Sequence, residues 1–156
     1  GLAFAHNIPC VSVSTLESMA YNFLSTDCIV CAVMDARCSQ VYNALFEIKN
    51  GVVTRLCDDR ALSLDDLKNE LLSVDGRIII AGDGTDITCK YIGNEIKNAE
   101  SAPVNLKYQR ASSTALVAFK MINNGKTVSV QELMPVYLRL PQAQRELNKK
   151  LGGRTK

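Results

Sequence analysis

Apolar positions recur along the chain at spacings that separate helices from strands. From Leu16 to Leu24 they return at every third or fourth position, which is the spacing of a helix with one buried face. Ser14 and Glu17 stand three residues apart just before this pattern and predict a capping box. The continuous apolar run over residues 28–34 has strand length and predicts a central strand that is covered on both faces.

The apolar pattern from residue 41 to residue 106 predicts further strands and one more helix. Residues 41–48 and 52–57 predict two strands joined by a turn at Asn50-Gly51. Residues 63–72 predict a capped helix with one apolar side formed by Leu64, Leu67, Leu71 and Leu72. Residues 78–81 predict a buried strand, and Val104 with Leu106 suggests a short further strand.

The last third of the chain predicts one long helix and then irregular structure. Residues 112–123 predict a helix that Asn124-Gly125 ends, with its inward face formed by Leu116, Phe119 and Ile122. Pro135 excludes a central strand, so residues 130–138 predict a loop or an edge strand, and residues 142–151 a terminal helix. A meander followed by helix, strand and helix predicts an α/β fold with a mixed β-sheet flanked by helices. That order is compatible with one lobe of the actin-like, RNase H-like (ASKHA) fold.

Charge and composition narrow the functional classes. The formal net charge is +2, which is too small to indicate a nucleic-acid-binding protein, and only residues 145–156 are locally basic. No apolar run approaches the roughly 20 residues of a membrane span. The six cysteines stand mostly in apolar runs, which predicts reduced, buried thiols in a cytoplasmic protein. Cys28 and Cys31 form a CxxC, but residues three apart on a strand face opposite sides, so we predict no metal site.

Acidic residues near strand ends are the first catalytic candidates. Asp35 ends the central strand, and Asp83 and Asp86 follow the second buried strand, so the three could serve an RNase H-like metal-dependent hydrolase. The alternative is structural: Asp35 accepts backbone N–H bonds in a tight turn and pairs with Arg37, while Asp83 caps a helix. The structural interpretation is the one that we prefer.

Phosphate binding and nucleophilic catalysis are less well supported. Gly82 and Gly84 form a turn that could contact a phosphate, although a lone GxG is also explained by turn conformation. An ATP site would need a second glycine-rich hairpin, and Arg37 and Cys38 stand where glycine would be required. His6 is the only histidine, and buried strand thiols are inert, so we identify no catalytic residues and no enzyme.

Three separated motifs resemble one family. They are the opening Gly1-Leu2-Ala3 with the Val-Ser-Thr-Leu segment over residues 13–16, the Asp35-Ala36-Arg37 turn with Val41-Tyr42, and Pro135-Val136-Tyr137-Leu138-Arg139. Their order resembles the tRNA threonylcarbamoyladenosine biosynthesis protein TsaB family (YeaZ-like, glycoprotease superfamily). Against that family, residues 1–7 are expected to be the end of a helix from an absent N-terminal lobe. Residues 8–140 would be the C-terminal α/β lobe, and residues 141–156 a terminal helix and basic tail.

The resemblance implies a non-catalytic scaffold. Such a subunit activates a TsaD-like paralogue, with a TsaE-like ATPase, to add threonylcarbamoyl to adenosine 37 of tRNAs that read codons beginning with A. The complex would use ATP and threonylcarbamoyl-adenylate, the chain alone would bind no cofactor, and tRNA would be contacted only through the complex. Leu2, Ala3 and Phe4 would retain part of the partner surface and could drive self-association. The old superfamily label would imply a peptidase, for which the residues offer no chemistry.

Overall fold

A computed structural model describes residues 1–138. Its helices are α1 (Leu2–Ala5), α2 (Thr15–Ala20, continued by a 3₁₀ turn at Tyr21–Phe23), α3 (Leu64–Leu71), α4 (Thr85–Ile92) and α5 (Ala111–Asn123). Its strands are β1 (Cys28–Asp35), β2 (Gln40–Lys49), β3 (Val52–Arg55), β4 (Arg60–Ser63), β5 (Ile78–Ala81) and β6 (Ala99–Ser101). No helix within this described part of the chain is both long and apolar enough to cross a membrane.

The strands of residues 1–138 form one mixed sheet in the order β3-β2-β1-β5-β6, with β4 also paired to β2. β2 runs antiparallel to β1, β3 and β4, whereas β5 runs parallel to both β1 and β6. Parallel neighbours require a crossover, and helices supply these crossovers before β5 and β6. The predicted mixed sheet flanked by helices is therefore confirmed.

The sheet is buried on both faces, as the continuous apolar run of β1 predicts. Alternate residues of β1 enter two apolar clusters: Val30 packs on the side of α2, while Val33 packs on the side of α3 and α4. Cys28 and Cys31 belong to opposite clusters, so the prediction that the CxxC pair faces two sides is confirmed.

The predicted hairpin turn, helix end and helix N-cap are present in the structure. Asn50 and Gly51 both have positive φ, as a tight hairpin turn between β2 and β3 requires. Gly125 adopts φ +69 after α5, and its N–H donates to the carbonyl of Ile122, which closes the helix. Ser14 caps α2 by accepting the N–H of Glu17 at 3.1 Å. Glu17 itself bonds Arg55 at 2.9 Å, so only half of the predicted capping box is present.

Two short strands were missed and one was wrongly predicted. Val104 is 84% exposed and lies outside any strand, while the edge strand is β6 at Ala99–Ser101. β4 is also short, and neither strand has an apolar alternation that a sequence pattern could register. Leu72 is exposed because it follows the last turn of α3, so its predicted place on the buried side is wrong.

The predicted inward face of α5 is also wrong. Its buried residues are Ser113 and Val117, whereas Leu116, Phe119 and Ile122 are exposed. Periodicity identified the apolar face correctly but not the direction in which that face points. After α5, the irregular path predicted for residues 130–138 is confirmed. The predicted helix at residues 142–151 and the basic stretch at 145–156 lie outside the described residues.

Candidate functional site

A cavity of about 540 Å³ lies beside the carboxyl end of β1. Four segments form it: the stretch that leads into α2, the facing ends of β1 and β2, Asp59 just before β4, and residues 134–138. Its lining comprises Ser12, Val13, Ser14, Thr15, Leu16, Met34, Tyr42, Asp59, Met134, Pro135, Val136, Tyr137 and Leu138. One part of each motif that carries the family resemblance lines this cavity: the Val-Ser-Thr-Leu segment, Tyr42 and the stretch from Pro135.

Strand register explains how two of these side chains come together. Met34 on β1 pairs directly with Tyr42 on β2, so both side chains project to the same face of the sheet. Pro135, Tyr137 and Leu138 approach from the far end of the chain. Arg139, the last predicted motif residue, lies outside the described residues.

A polar network closes one side of the cavity. The Ser14 hydroxyl donates to Asp59 Oδ2 at 2.6 Å, and Arg55 Nη1 donates to Asp59 Oδ1 at 2.6 Å. Arg55 Nη2 also donates to Glu17, and its guanidinium lies 4.7 Å from the ring centroid of Phe46. Burial alone would lower the pKa of Arg55, but the hydrogen bonds to Asp59 and Glu17 outweigh it and raise that pKa. The network thus fixes the start of α2 against β3.

The described cavity lining carries little charge that could act on a ligand. Asp59 is its one ionisable acid among residues 1–138, and both of its oxygens are already bonded. The other polar groups of the described lining are hydroxyls, contributed by Ser12, Ser14, Thr15 and the two tyrosines. Hydroxyls and apolar walls favour packing and binding over general acid–base chemistry.

The carboxylates that were weighed for a hydrolase have separate structural partners. Asp35 accepts the N–H of Arg37 at 2.7 Å and pairs with its guanidinium at 3.1 Å, as the structural interpretation predicts. Asp83 Oδ1 accepts the N–H of Asp35 at 3.1 Å. The prediction that Asp83 caps a helix is wrong, because Gly84 is the N-cap of α4. Asp86 pairs with Lys107 at 2.6 Å.

The described residues contain no cluster of side chains with the geometry of a metal site. Among residues 1–138, no three His, Cys, Asp or Glu side chains cluster in a way that could hold a metal ion. The cysteines of this part of the chain are free thiols. Burial raises the pKa of Cys31, Cys28 and Cys89, whereas Cys38 is exposed in the turn after β1. The prediction of buried thiols therefore holds for Cys28 and Cys31, whereas Cys10, Cys57 and Cys89 are half-buried and Cys38 is exposed.

The glycine turn after β5 serves packing. Gly82 N–H donates to the carbonyl of Lys107 at 2.7 Å, and Gly84 N–H donates to that of Val33 at 3.3 Å. A phosphate would need such groups to be available. The predicted phosphate contact at Gly82 and Gly84 therefore gains no support from this geometry.

The β1–β2 hairpin is unusual in its backbone. Arg37, Cys38 and Ser39 all adopt φ between +54 and +63, a conformation that glycine accepts most readily. Ala36 is buried, and its N–H donates to the carbonyl of Gln40 at 3.0 Å. Asp35 then pairs with Val41 across the hairpin. The Asp-Ala-Arg motif thus builds a tight, internally bonded turn.

Sequence reasoning missed two members of this site. Asp59 and Arg55 stand in irregular or edge positions, and their only signal was an opposite charge pair four residues apart. The predicted partner residues lie elsewhere, on α1: Leu2 and Phe4 are exposed, and Ala3 is half-buried. Their role in binding stays a prediction.

Comparisons with known proteins place these features in a family. Residues 1–147 match the family model described as "TsaD: tRNA N6-adenosine threonylcarbamoyltransferase". The chain is 28% identical over 143 residues to the tRNA threonylcarbamoyladenosine biosynthesis protein TsaB of Bacillus subtilis, covering 92% of this chain and 61% of that protein. It thus spans about three fifths of this curated relative.

Solved structures agree on the fold. A Pseudomonas aeruginosa protein described as similar to peptidase YeaZ superposes with a TM-score of 0.68 at 22% identity, over 89% of this chain and 63% of that one. A structure of YeaZ from Pseudomonas aeruginosa gives 0.68 at 21% identity, over 88% and 63% of the two chains. These neighbours are consistent with the actin-like, RNase H-like lobe that the element order predicts. Because the family model matches residues 1–147, the chain belongs to the family described as TsaD, tRNA N6-adenosine threonylcarbamoyltransferase, and it is similar to the TsaB protein of Bacillus subtilis.

Proposed function

We propose that this chain is a non-catalytic subunit that supports a TsaD-like transferase in adding threonylcarbamoyl to adenosine of tRNA. The observation that carries the proposal is the engagement of its strand-end carboxylates. Asp35 is bonded to Arg37, Asp83 to the backbone N–H of Asp35 and Asp86 to Lys107, and among residues 1–138 no three such side chains cluster to hold a metal ion. A two-metal hydrolase requires such groups to converge on cations about 3.5–4 Å apart.

The β1–β2 turn supports the same proposal. An ATP site in an actin-like fold needs backbone N–H groups that a phosphate can reach. In this turn the N–H of Arg37 is taken by the Asp35 carboxylate, and that of Ala36 by the Gln40 carbonyl. In our proposal ATP and threonylcarbamoyl-adenylate are therefore handled by the partner proteins, a TsaD-like transferase and a TsaE-like ATPase, in the cytoplasm. Contact with tRNA is made through the assembled complex.

The partner surface that we propose is α1. Leu2 is 94% and Phe4 64% exposed, and a helix that presents large apolar side chains to solvent is typical of a protein-binding surface. Ala3 lies between them and is half-buried. These residues lie on a four-residue helix whose backbone is fixed by the bond from Ile8 N–H to the Ala3 carbonyl at 3.0 Å.

Calorimetric titration of the chain into the TsaD-like protein of the same organism tests the proposal. We expect saturable binding that Phe4→Glu weakens at least about tenfold, a loss of roughly 1.4 kcal/mol. Leu72→Glu is the matched control, because Leu72 is a large apolar residue that is also exposed, 54% accessible, but it lies at the end of α3. Equal binding by wild type and Phe4→Glu would show that α1 is not part of the interface. No binding by the wild-type chain would contradict the proposed TsaD-like partner.

Activity assays address the two catalytic alternatives. A hydrolase would show turnover that depends on magnesium or manganese and disappears in Asp35→Asn. A peptidase would show proteolysis by the chain alone. We expect neither activity, and we expect the chain to raise the rate of threonylcarbamoyl transfer only when the TsaD-like protein is present.

A further inference from the structure

Asparagine is followed by glycine twice in the chain, at Asn50-Gly51 and at Asn124-Gly125. The backbone nitrogen of such a glycine can attack the side-chain amide of the asparagine before it, because glycine has no side chain to obstruct the approach. All four residues are exposed to solvent. Exposure therefore does not distinguish the two sites, and a difference in their reactivity has to come from the local backbone.

The reaction, deamidation, needs only the chain and water. The glycine nitrogen forms a bond to asparagine Cγ, the Cγ–Nδ2 bond breaks, and ammonia leaves with the proton that the glycine nitrogen gives up. Water then opens the resulting five-membered succinimide ring. Opening at Cγ gives aspartate with a normal backbone, whereas opening at the backbone carbonyl carbon gives isoaspartate, whose main chain runs through the side chain.

The end of α5 holds the peptide between Asn124 and Gly125. Gly125 N–H donates to the carbonyl of Ile122 at 2.9 Å, and Lys126 N–H donates to that of Met121 at 2.9 Å. Ring closure requires rotation about the Asn124 Cα–C bond, which turns the Gly125 nitrogen away from its acceptor. Attack at this site must therefore first break the hydrogen bonds that close the helix.

The peptide between Asn50 and Gly51 is not held in this way. Their φ values of +51 and +75 are the positive values of a type I′ hairpin turn. Among residues 1–138, no hydrogen bond holds the N–H of Gly51 or the carbonyl of Asn50. Type I′ and type II′ turns differ by a flip of this one peptide, so it can rotate while Lys49 and Val52 stay paired across the hairpin.

The flip brings the reacting atoms together. The first central residue of a type II′ turn has ψ of about −120°, which places the next nitrogen on the same side of the Cα–C bond as Cβ. For Asn50 the next nitrogen is that of Gly51, and the amide carbon Cγ is attached to this Cβ. The backbone N–H of Asn50 keeps its hydrogen bond to Asp27 Oδ1 at 2.9 Å, because the flip leaves φ of Asn50 unchanged.

We propose that Asn50-Gly51 is a site of spontaneous deamidation in the folded chain, whereas Asn124-Gly125 is protected by the end of α5. The products are aspartate and isoaspartate at position 50. This inference concerns the β2–β3 hairpin and does not rest on the proposed function.

The products change the hairpin. Aspartate at position 50 places a second carboxylate beside Asp27, and isoaspartate adds one atom to the main chain of a two-residue turn. With that extra atom the pairing of Lys49 with Val52 no longer fits the turn. Because β3 ends at Arg55, which anchors α2 beside the cavity, deamidation also weakens that anchor.

Peptide mass spectrometry of the chain during incubation at neutral pH and physiological temperature measures both sites in one sample. We expect Asn50 to deamidate at least about tenfold faster than Asn124, because only Asn124 must first lose two helix-closing hydrogen bonds. In guanidinium chloride concentrated enough to unfold the chain, the two rates should become similar. This convergence separates protection by the fold from a difference in the neighbouring sequence.

A matched pair of variants assigns the isoaspartate to its position. Asn50→Gly should abolish the isoaspartate that an isoaspartate methyltransferase detects in the folded chain, whereas Asn124→Gly should leave it unchanged. Glycine suits both positions, since it is accepted in a type I′ turn and at the end of a helix. For the effect on the hairpin, aged wild-type chain should unfold at a lower urea concentration than fresh chain, and aged Asn50→Gly should not.

Three outcomes would overturn the inference. Equal rates at the two sites in the folded chain would show that the end of α5 gives no protection. Faster reaction at Asn124 would reverse the proposed order. Deamidation of Asn50 only in denaturant would show that the hairpin turn holds its peptide in place.

Discussion

Gly82 is a single residue that determines how closely the turn after β5 packs against β1. A Cβ at this position would lie 1.9 Å from the carbonyl oxygen of Val33, in the backbone of β1. Its φ of +119 is also strained for any other residue. The turn between β5 and α4 can therefore contact the central strand only if residue 82 has no side chain.

Gly82→Ala is accordingly expected to lower the free energy of unfolding by at least about 3 kcal/mol, or to prevent folding, because a backbone oxygen cannot move aside as a side chain can. Gly93→Ala is the control, since Gly93 also has positive φ but a methyl group added there would meet no neighbouring atom within 4 Å. Gly93 has φ +58 and ψ −132, so Gly93→Ala should cost about 1–3 kcal/mol of backbone strain without a steric clash. Urea denaturation of both variants measures the difference, and equal losses would contradict a steric role for Gly82.

Residue roles near the turn were only partly predictable from sequence. The pairing of Asp35 with Arg37 is local, and two residues of separation in a turn are enough to predict it. The bond from Asp35 N–H to Asp83 joins residues 48 positions apart. Such a partner is set by the parallel pairing of β1 with β5, which no local pattern encodes.

At the scale of elements, a buried lysine joins α4 to the loop that follows β6. Lys107 has a side chain only 9% exposed, and its ammonium group lies 2.6 Å from Asp86 in the first turn of α4. The hydrogen bond to Asp86 raises the pKa of Lys107, although burial alone would lower it. A raised lysine pKa contributes stability that is present below the usual lysine range and is lost as pH rises through the folded-state value.

Asp86→Asn should therefore destabilise the chain near neutral pH, and the difference from wild type should shrink toward zero as pH rises beyond about 10.4. Because Asp86 is 80% exposed, solvent screens the pair, and we expect a loss of about 1 kcal/mol or less. Glu95→Gln, which breaks the pair between Lys68 of α3 and Glu95 after α4, is the control and should have a smaller effect. Unfolding free energies measured at several pH values decide the matter, and a difference independent of pH would count against the ion pair.

Helices and strands were predicted correctly where the apolar pattern is compatible with only one packing arrangement. Residues 28–34 of β1 are all apolar, so this part of the strand can only lie between two covered faces. For α5 the same reasoning found the helix but not its orientation. Its packed face uses a serine–asparagine bond and one valine, which a hydrophobic pattern ranks below three large apolar residues.

At the scale of the whole molecule, the central sheet controls access to the Cys31 thiol. Cys31 is fully buried in β1, and burial raises its pKa strongly. Its thiol also accepts a contact from the side-chain amide of Asn43 at 3.4 Å. Reaction at Cys31 therefore requires the sheet to open.

Alkylation followed by peptide mass spectrometry should modify exposed Cys38 at least about a hundredfold faster than Cys31 in native buffer. The Cys31 rate should rise with urea in step with global unfolding. Modification of both thiols at similar rates without denaturant would mean that β1 is reached by local opening instead. Comparing Gly93→Ala with wild type adds a check, because a less stable sheet should expose Cys31 more often.

The cavity is the feature that sequence could least predict. Each of its three motifs could be recognised separately, but their convergence joins segments up to about 120 residues apart in the chain. Asp59 and Arg55, which close its polar side, gave only the weak signal of opposite charges four residues apart. The fold class was predictable because it depends on the order of elements, whereas the site depends on how those elements meet.

The exposed face of α5, formed by Leu116, Phe119 and Ile122, affects what a screen of amino-acid substitutions in this chain would detect. Leu116, Phe119 and Ile122 contribute little to the protein's own interior, so selection for folding alone exerts only a weak hold on them. A mutant library sorted by thermal stability would rank these three positions as nearly neutral. A screen for stability alone would therefore overlook any role that this exposed face has outside folding.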